Sequence, residues 1–148
     1  MISPKFDPDI HLVFAILNGR VSSAINKRMA SNFKNGNIDI TPEQWTVLLF
    51  LWEHDGVTQI SLCKDTFRDK PSMTRLINQL EKKGLVIRVA SKNDKRANHI
   101  FLTDKGRVLE PKVREVTRQT LLEGLDGLDN DVMELAQETL RVIFKNLT

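Results

Sequence analysis

Apolar residues recur along most of the chain at steps of three and four, the spacing of amphipathic helices. Six such segments are predicted, separated by breaks that contain Asn, Gly, Asp or Pro. After the fourth segment the spacing changes to two. The stretches VIRVA and HIFLT, joined by the polar SKNDKRAN, predict a β-hairpin over residues 86–103. The predicted order is four helices, a hairpin and two helices.

Capping residues mark five of the helix starts. Thr41 and Gln44 form a capping box, and Thr58, Asp69, Thr103 and Asp129 are suited to begin the third to sixth helices. The spacing then predicts which faces are buried. The second helix should bury Trp45, Leu48, Leu49 and Trp52, the fourth Met73, Leu76, Ile77 and Leu80, and the last Val132, Leu135, Ala136, Leu140, Ile143, Phe144 and Leu147. In the hairpin, Leu85, Ile87 and Val89 alternate with Val86, Arg88 and Ala90, which predicts a half-buried strand.

Two short helices, a tight turn, a third helix and a hairpin make a winged helix-turn-helix. The predicted fold class is therefore mainly α, a single domain over residues 1–148 with about six helices and one β-hairpin wing. Its winged core spans residues 41–103 and closes without the end helices at 8–34 and 104–147. Because their apolar stripes then have no partner in the same chain, we expect these end helices to form a dimer.

Composition narrows the setting in which the protein acts. No apolar run approaches the ~18 residues that a membrane span needs, so no membrane partner is expected. The first residues carry acids where a secretion signal has a basic start. A single cysteine, Cys63, excludes an internal disulfide framework. A cytoplasmic, reducing location is therefore predicted.

Positive charge is concentrated in one segment. The chain has a net charge of only +3, but residues 64–100 hold ten basic and four acidic residues, a net charge of +6. The remainder of the chain is therefore net negative at −3. A solvated basic face would also show this, but such a segment is typical of a surface that binds a polyanion.

The fourth helix is the predicted recognition helix, whose outward face lies in the major groove of double-stranded DNA. Arg can bind guanine through two hydrogen bonds, Asn or Gln can bind adenine, and Ser or Lys can hold phosphate. The candidate DNA-binding residues of this helix are Lys70, Pro71, Ser72, Thr74, Arg75, Asn78 and Gln79.

The hairpin tip supplies a second candidate contact, through Lys92, Asp94, Lys95 and Arg96. A guanidinium on such a tip can enter the narrow, negative minor groove. Asp94 is a turn former, and it can also hold the Arg96 guanidinium through a charge-assisted hydrogen bond.

The stretches ITPEQWTVLLFL, TQISLCKDTFRDKPSMTRLINQLEKKGLVIR and DKRANHIFLTDKG resemble the MarR family of bacterial transcriptional regulators. The resemblance implies a homodimer with interlocked first and last helices, an inverted-repeat operator and a ligand-responsive regulator, more often a repressor. It implies that Arg96 is the minor-groove arginine of the wing. It also implies a small-molecule effector cavity, for which the candidate residues are Phe14, Leu17, Trp45, Leu48 and Val108. Where the family has leucine and glycine, this chain has Thr66 and Phe67, so we expect Phe67 to fill a gap beneath the recognition helix.

Other functions lack a signature. No catalytic motif is present, so the protein is predicted not to be an enzyme and to need no cofactor. Three scattered histidines and one cysteine offer no metal-ligand spacing, so no metal is expected. Cys63 is interpreted as a packed core thiol rather than a redox switch. The alternative function is a winged-helix protein-docking module, which should expose apolar anchors on the recognition helix.

Overall fold

The computed structural model describes residues 10–94 and 97–148. Within them the elements are α1 Ile10–Asn35, α2 Pro42–Glu53, β1 Val57–Thr58, α3 Gln59–Thr66, α4 Lys70–Lys82, β2 Val86–Ala90, β3 Asn98–Leu102, α5 Asp104–Gly124 and α6 Asn130–Leu147. The mainly α winged helix-turn-helix predicted from the sequence is confirmed. None of the helices in these residues is both long and apolar enough to cross a bilayer.

The hairpin is part of a three-stranded antiparallel sheet with the order β1-β3-β2. Val57 and Thr58 of β1 pair with Ile100 and His99 of β3. The sequence did not predict β1, because two residues are too few to show an alternating pattern. The extra strand joins the start of α3 to the base of the wing.

Local capping chemistry is as predicted at α2 to α5, whereas Asp129 precedes α6 without a capping hydrogen bond from its side chain. Thr41 and Gln44 form the reciprocal capping box, with backbone-to-side-chain distances of 3.1 and 3.2 Å. The hydroxyl of Thr58 accepts from the backbone N–H of Ser61, and that of Thr103 from the backbone N–H of Gly106. These contacts depend only on neighbours in sequence, which is why the sequence predicts them.

One apolar core lies between α2, α3, α4, the sheet and parts of the end helices. It contains Met29, Phe33, Ile38, Ile40, Val47, Leu48, Leu51, Leu62, Met73, Leu76, Ile77, Leu80, Leu85, Val86, Ile100, Leu102 and Val113. The four core residues predicted for α4 are all fully buried, as expected. Met29 and Phe33 show that the C-terminal part of α1 packs with the winged core.

The predicted buried face of α2 is partly wrong. Leu48 is buried, but the buried face also includes Val47 and Leu51, whereas Trp45 and Trp52 are half-buried at its margin. The Trp52 indole N–H donates to the carbonyl of Gly106 at 3.0 Å. An indole has both apolar surface and a polar N–H, so the edge of a core satisfies it better than the centre.

β2 is the half-buried strand that the alternation predicts, and the structure shows which of its faces is turned inward. Val86 is buried and Arg88 half-buried, whereas Ile87 is 48% exposed and Val89 is exposed as well. The inward face is fixed by Arg88, which pairs with Glu81 of α4. Because a strand alternates faces, this pairing turns the apolar Ile87 and Val89 outward.

None of the residues of α6 is buried in the protomer. The stripe of α6 was predicted to lack a partner in its own chain, and Leu135 is accordingly 70% exposed. The N-terminal half of α1 is similar, with Phe14, Leu17 and Val21 all exposed. Residues 10–94 and 97–148 of one chain therefore offer no surface that covers these stripes.

The first turn of α5 lies in close contact with the backbone that precedes β2. A Cβ atom on Gly106 would lie 2.2 Å from the carbonyl oxygen of Leu85, a distance that no side chain tolerates. The hydroxyl of Thr103 also donates to the carbonyl of Gly84 at 2.6 Å. Glycine at position 106 therefore lets α5 begin directly against the base of the wing.

Candidate nucleic-acid interface

The start of α4 is fixed by its cap. The Asp69 carboxylate accepts the backbone N–H of Ser72 at 2.7 Å, and Pro71 occupies the first turn, where its missing N–H costs nothing. The bonds from Ser72 hold the pKa of the exposed Asp69 carboxyl below its usual value. The apolar face of α4 is turned into the core, so its polar face is oriented outward.

The structure brings the predicted recognition residues together on this outward face. Lys70, Pro71, Arg75 and Asn78 are exposed, and Ser72, Thr74 and Gln79 are half-buried. A groove of about 640 Å³ is lined by Lys70, Pro71, Thr74, Arg75, Asn78, Gln79 and Lys82. All the predicted recognition residues except Ser72 therefore share one concave surface.

A second groove lies between α3, α4 and the wing. It encloses about 710 Å³ and is lined by Thr58, Gln59, Ile60, Cys63, Lys70, Thr74, Asn78, Arg88, Ala97 and Asn98. Lys70, Thr74 and Asn78 line both grooves, so the outer edge of α4 is a ridge between two concavities. A ridge of this kind is the shape that enters a groove of duplex DNA.

Arg75 is held by an acid that the sequence analysis did not identify. Its Nη2 lies 3.1 Å from Oε2 of Glu43 at the start of α2, and both side chains are about half exposed. An exposed pair of this kind contributes little to stability. Glu43 can therefore orient the guanidinium and release it when a stronger anion approaches.

Asn78 belongs to a network that joins α4 to the wing. Arg88 of β2 donates from Nη2 to Asn78 Oδ1 at 2.7 Å and from Nη1 to the Glu81 carboxylate. The backbone N–H of Arg88 also donates to Glu81, at 3.3 Å. Arg88 and Glu81 carry no signal for this contact in the sequence, because the contact joins separate elements.

Gln79 and Thr74 are held from the other helices of the motif. Gln44 donates from Nε2 to Gln79 Oε1 at 3.0 Å, and Gln59 donates from Nε2 to Thr74 Oγ1 at 2.7 Å. Gln44 is itself buried, so the bond to Gln79 is anchored in the core. Hydrogen bonds from α2, α3 and β2 therefore hold Thr74, Asn78 and Gln79 of α4 in place.

Part of the predicted wing tip lies among the described residues. Lys92 and Asp94 are exposed, and the backbone N–H of Ala97 donates to the Asp94 carbonyl at 3.1 Å. Lys95 and Arg96 lie outside the described residues. The predicted contact between Asp94 and the Arg96 guanidinium therefore stays a prediction.

Cys63 lies half-buried in α3 and packs against the core. Burial raises the pKa of its thiol, and the charge of Asp69 raises it further, against an opposing effect of Lys70. A raised pKa keeps the group as a thiol at neutral pH, whereas oxidant-sensing cysteines react as thiolates. Among the described residues there is also no group of three His, Cys, Asp or Glu side chains suited to a metal.

The candidate effector residues have very different environments in the protomer. Phe14 and Leu17 lie on the uncovered half of α1, Leu48 is fully buried, and Val108 is 78% exposed. Trp45 packs against the core, and within the described residues its buried Nε1 has no hydrogen-bond partner. One protomer therefore does not join these five residues into a single cavity wall.

Comparisons with known proteins agree with this geometry. Residues 38–97, from the approach to α2 to the residue before β3, match the model of the MarR family. Over 99 residues the chain is 38% identical to the HTH-type transcriptional regulator TtmR of Methylorubrum extorquens (strain PA1), a match that covers 62% of this chain and about half, 51%, of TtmR. It is 26% identical to the organic hydroperoxide resistance transcriptional regulator of Bacillus subtilis (strain 168), covering 84% of each chain.

A solved structure shares nearly the whole architecture. The chain superimposes on the S. aureus MepR–DNA complex with a TM-score of 0.83 and 25% identity, covering 91% of this chain and 98% of MepR. TtmR and the B. subtilis relative are transcriptional regulators, which are not enzymes. Over residues 38–97 the chain therefore has the winged helix-turn-helix of the MarR family of transcriptional regulators.

Proposed function

We propose that this protein binds double-stranded DNA sequence-specifically as a homodimer and regulates transcription, as a ligand-responsive repressor in a bacterial cytoplasm. The observation that carries the proposal is the ridge of α4, whose polar residues stand between two grooves while its apolar face is fully buried. MepR, which shares the fold, was solved bound to DNA.

In the proposed complex, α4 lies in the major groove. Arg75 exchanges its exposed partner Glu43 for a guanine edge or a phosphate, a trade favoured by the charge density of the duplex. Lys70 is exposed at the N-terminal end of α4, where it can hold the DNA backbone. The wing, with Lys92 at its tip and the predicted Arg96, reaches the adjacent minor groove.

The homodimer is supported by the exposed apolar side chains of the end helices. They are Leu12, Phe14, Leu17, Val21 and Ile25 in α1, Val108, Leu121 and Leu122 in α5, and Val132, Leu135, Leu140, Val142, Phe144 and Leu147 in α6. A monomer would present these residues to water, whereas a second copy can cover them. Two-fold symmetry then calls for an inverted-repeat operator with half-sites about one helical turn apart.

An effector would act between the dimer helices and the winged core. The residues proposed to face it are Phe14, Leu17, Trp45, Leu48 and Val108. Trp45 supports this location, because its buried indole N–H is an unused donor within the described residues. A ligand there would change the spacing of the two recognition helices and so the affinity for the operator.

The first test is selection of bound duplexes from a random pool at about 0.15 M salt, because basic surfaces bind any DNA when counterions are scarce. We expect an enriched inverted repeat that binds far more tightly than random duplex in an anisotropy titration. Weak, salt-sensitive binding without enrichment would instead favour the protein-docking module.

Two variants then separate the contacts on that operator. Arg75→Ala should cost about 1–3 kcal/mol and relax discrimination at one base pair. Arg96→Ala should weaken operator binding without altering the dimer in a sedimentation measurement. Lys145→Gln is the matched control, because it removes an exposed cation of α6 that lines neither of the two grooves beside α4. Normal operator binding by Arg96→Ala would contradict the role of the wing.

A further inference from the structure

We propose that α4 reads hydrogen-bond acceptors in the major groove, because the amides of Asn78 and Gln79 are both held with their oxygens turned toward the protein and their NH₂ groups turned outward. Such a surface selects guanine, and secondarily thymine, and cannot make the two-bond contact with adenine. This inference rests on the proposed function and specifies which bases the operator presents to α4.

The orientation of Asn78 is set by Arg88. A guanidinium has five N–H donors and no acceptor, so the atom of Asn78 that lies 2.7 Å from Nη2 must be the oxygen. Arg88 is itself held by Glu81, which accepts both from its side chain and from its backbone N–H. Only 21% of the Arg88 side chain is exposed, so it cannot swing away freely.

The orientation of Gln79 follows from a chain of three groups. Gln44 Oε1 accepts from the backbone N–H of Thr41 at 3.2 Å and from Nζ of Lys83 at 3.0 Å. Both of these partners are donors only, so they assign the oxygen of Gln44 without ambiguity. Its Nε2 therefore faces the other way and donates to Gln79 Oε1 at 3.0 Å.

Thr74 is also held with its oxygen bonded to the protein, by a single hydrogen bond from Gln59. Its Oγ1 accepts from Gln59 Nε2 at 2.7 Å, which leaves the hydroxyl hydrogen as the group it can offer outward. Lys70 and Arg75, which line the same groove, are donors without acceptors. The carboxylate of Glu81, the acid nearest to Asn78 along α4, is occupied by Arg88.

The donors and acceptors on the major-groove edge of each base determine which bases a surface of outward donors can bind. Adenine is read by an amide that donates to N7 and accepts from the N6 amino group at the same time. Asn78 and Gln79 have turned the required oxygen away. Guanine presents two acceptors, N7 and O6, and thymine presents one, O4, while cytosine presents a donor. The sequence expectation that these amides read adenine is thereby replaced by a preference for guanine.

The test uses base analogues in the operator obtained by selection. Replacing guanines one at a time by 7-deazaguanine removes the N7 acceptor only. We expect one such guanine in each half-site to weaken wild-type binding about tenfold, which is about 1.4 kcal/mol. The same replacement should have no effect on Asn78→Ala. Replacing adenine by purine, which lacks the N6 amino group, should have no effect that depends on Asn78.

A second pair of variants tests the cause. Arg88→Met removes the donor that holds the Asn78 oxygen, so the ratio of affinities for guanine and adenine at that base pair should fall at least about threefold. Arg88→Lys is the matched control, because it keeps a donor beside Asn78 and Glu81 and should keep the ratio. Loss of charge alone would weaken both duplexes equally and leave the ratio unchanged.

The outcomes distinguish failure of the acceptor-reading surface from failure of the proposed DNA-binding function. An adenine whose N6 amino group is needed by the wild type but not by Asn78→Ala would overturn the acceptor-reading surface and leave the DNA-binding function standing. An unchanged ratio in Arg88→Met would also overturn it. If no duplex is enriched in the selection, the proposed function fails first and this inference fails with it.

Discussion

The winged core and the end helices use the same apolar residue types in opposite ways. In the core, Leu48, Leu76 and Ile100 are completely buried. In α6, Leu135 and Leu147 lie mostly in solvent, although they are spaced as regularly as the core residues. Periodicity therefore shows that a helix has an apolar face, but not whether the covering surface belongs to the same chain. The core is covered within one protomer, whereas the described residues leave the apolar stripes of the end helices exposed.

The border between the two regions runs through α1 rather than between elements. Met29 and Phe33, near its C-terminal end, are core residues, whereas Phe14 and Leu17 are uncovered. Asn32, in the same part of the helix as Phe33, donates from Nδ2 to Thr120 Oγ1 of α5 at 2.8 Å. The anchored half of α1 thus fixes the direction in which its exposed half leaves the core.

The sharpest contrast is expected from truncating a leucine in the core. Leu76→Ala should lower the free energy of unfolding by about 2–5 kcal/mol, because Leu76 is fully buried in α4 and leaves a cavity. Urea unfolding followed by circular dichroism measures this loss, and we expect it at every protein concentration. A loss below about 1 kcal/mol would mean that the core is less closely packed than its burial indicates.

A substitution in α6 should act through association instead. Leu140→Gln should raise the dimer dissociation constant at least about tenfold, because a leucine covered by a partner contributes about 1.5–3 kcal/mol. Sedimentation equilibrium measures the change. Lys145→Gln places the same side chain elsewhere on α6, outside the predicted apolar stripe, and should leave the constant unchanged. Equal effects of the two variants would contradict the assignment of the α6 stripe to the dimer.

The sequence predicted what is decided within a few residues. The caps at Thr41, Thr58 and Asp69 and the buried face of α4 are local, and all are confirmed. The exposed polar face of α4 could be predicted for the same reason, since it is the complement of that buried face.

What sequence reasoning missed depends on contacts between distant elements. The outward turn of Ile87 follows from the pairing of Arg88 with Glu81, and neither residue signals the other. The hydrogen bonds that orient Asn78 and Gln79 start at Arg88 and Gln44, ten and thirty-five positions away. Spacing identified these residues as polar, but only the fold shows which atom of each amide is hydrogen-bonded within the protein.

Phe67 connects the two regions and departs from its predicted place. It was expected beneath the recognition helix, but it is 70% exposed and its ring lies edge-on to Phe144 of α6, with centroids 5.1 Å apart. Its φ of 53° is the left-handed conformation that favours the glycine of the family pattern. For a residue with a side chain this conformation costs about 1–2 kcal/mol.

Two substitutions of Phe67 should separate the strain from the ring contact. Phe67→Leu keeps the strain and loses the aromatic pair, so it should destabilise the protein by about 1 kcal/mol. Phe67→Gly loses the same pair but relieves the strain, so its thermal unfolding should lie close to that of the wild type. If Phe67→Gly is less stable than Phe67→Leu, the left-handed conformation does not limit stability at this turn.

The smallest expected effect is the pH dependence of the cap on α4. The pKa of Asp69 is lowered in the folded protein, chiefly by the backbone N–H of Ser72, so its contribution is present above the unfolded value of about 4 and is lost as the pH falls through the folded pKa. Asp69→Asn keeps a capping oxygen but does not titrate. The difference in Tm between wild type and Asp69→Asn should therefore be constant above about pH 5 and change by at most about 2 °C as the pH falls below about 4. Thr58→Asn is the control, because it exchanges one neutral cap for another. The difference in Tm between wild type and Thr58→Asn should therefore stay constant over the same pH range. A flat profile for Asp69→Asn as well would show that the carboxylate charge adds nothing to the capping hydrogen bond, and that α4 depends on its buried face alone.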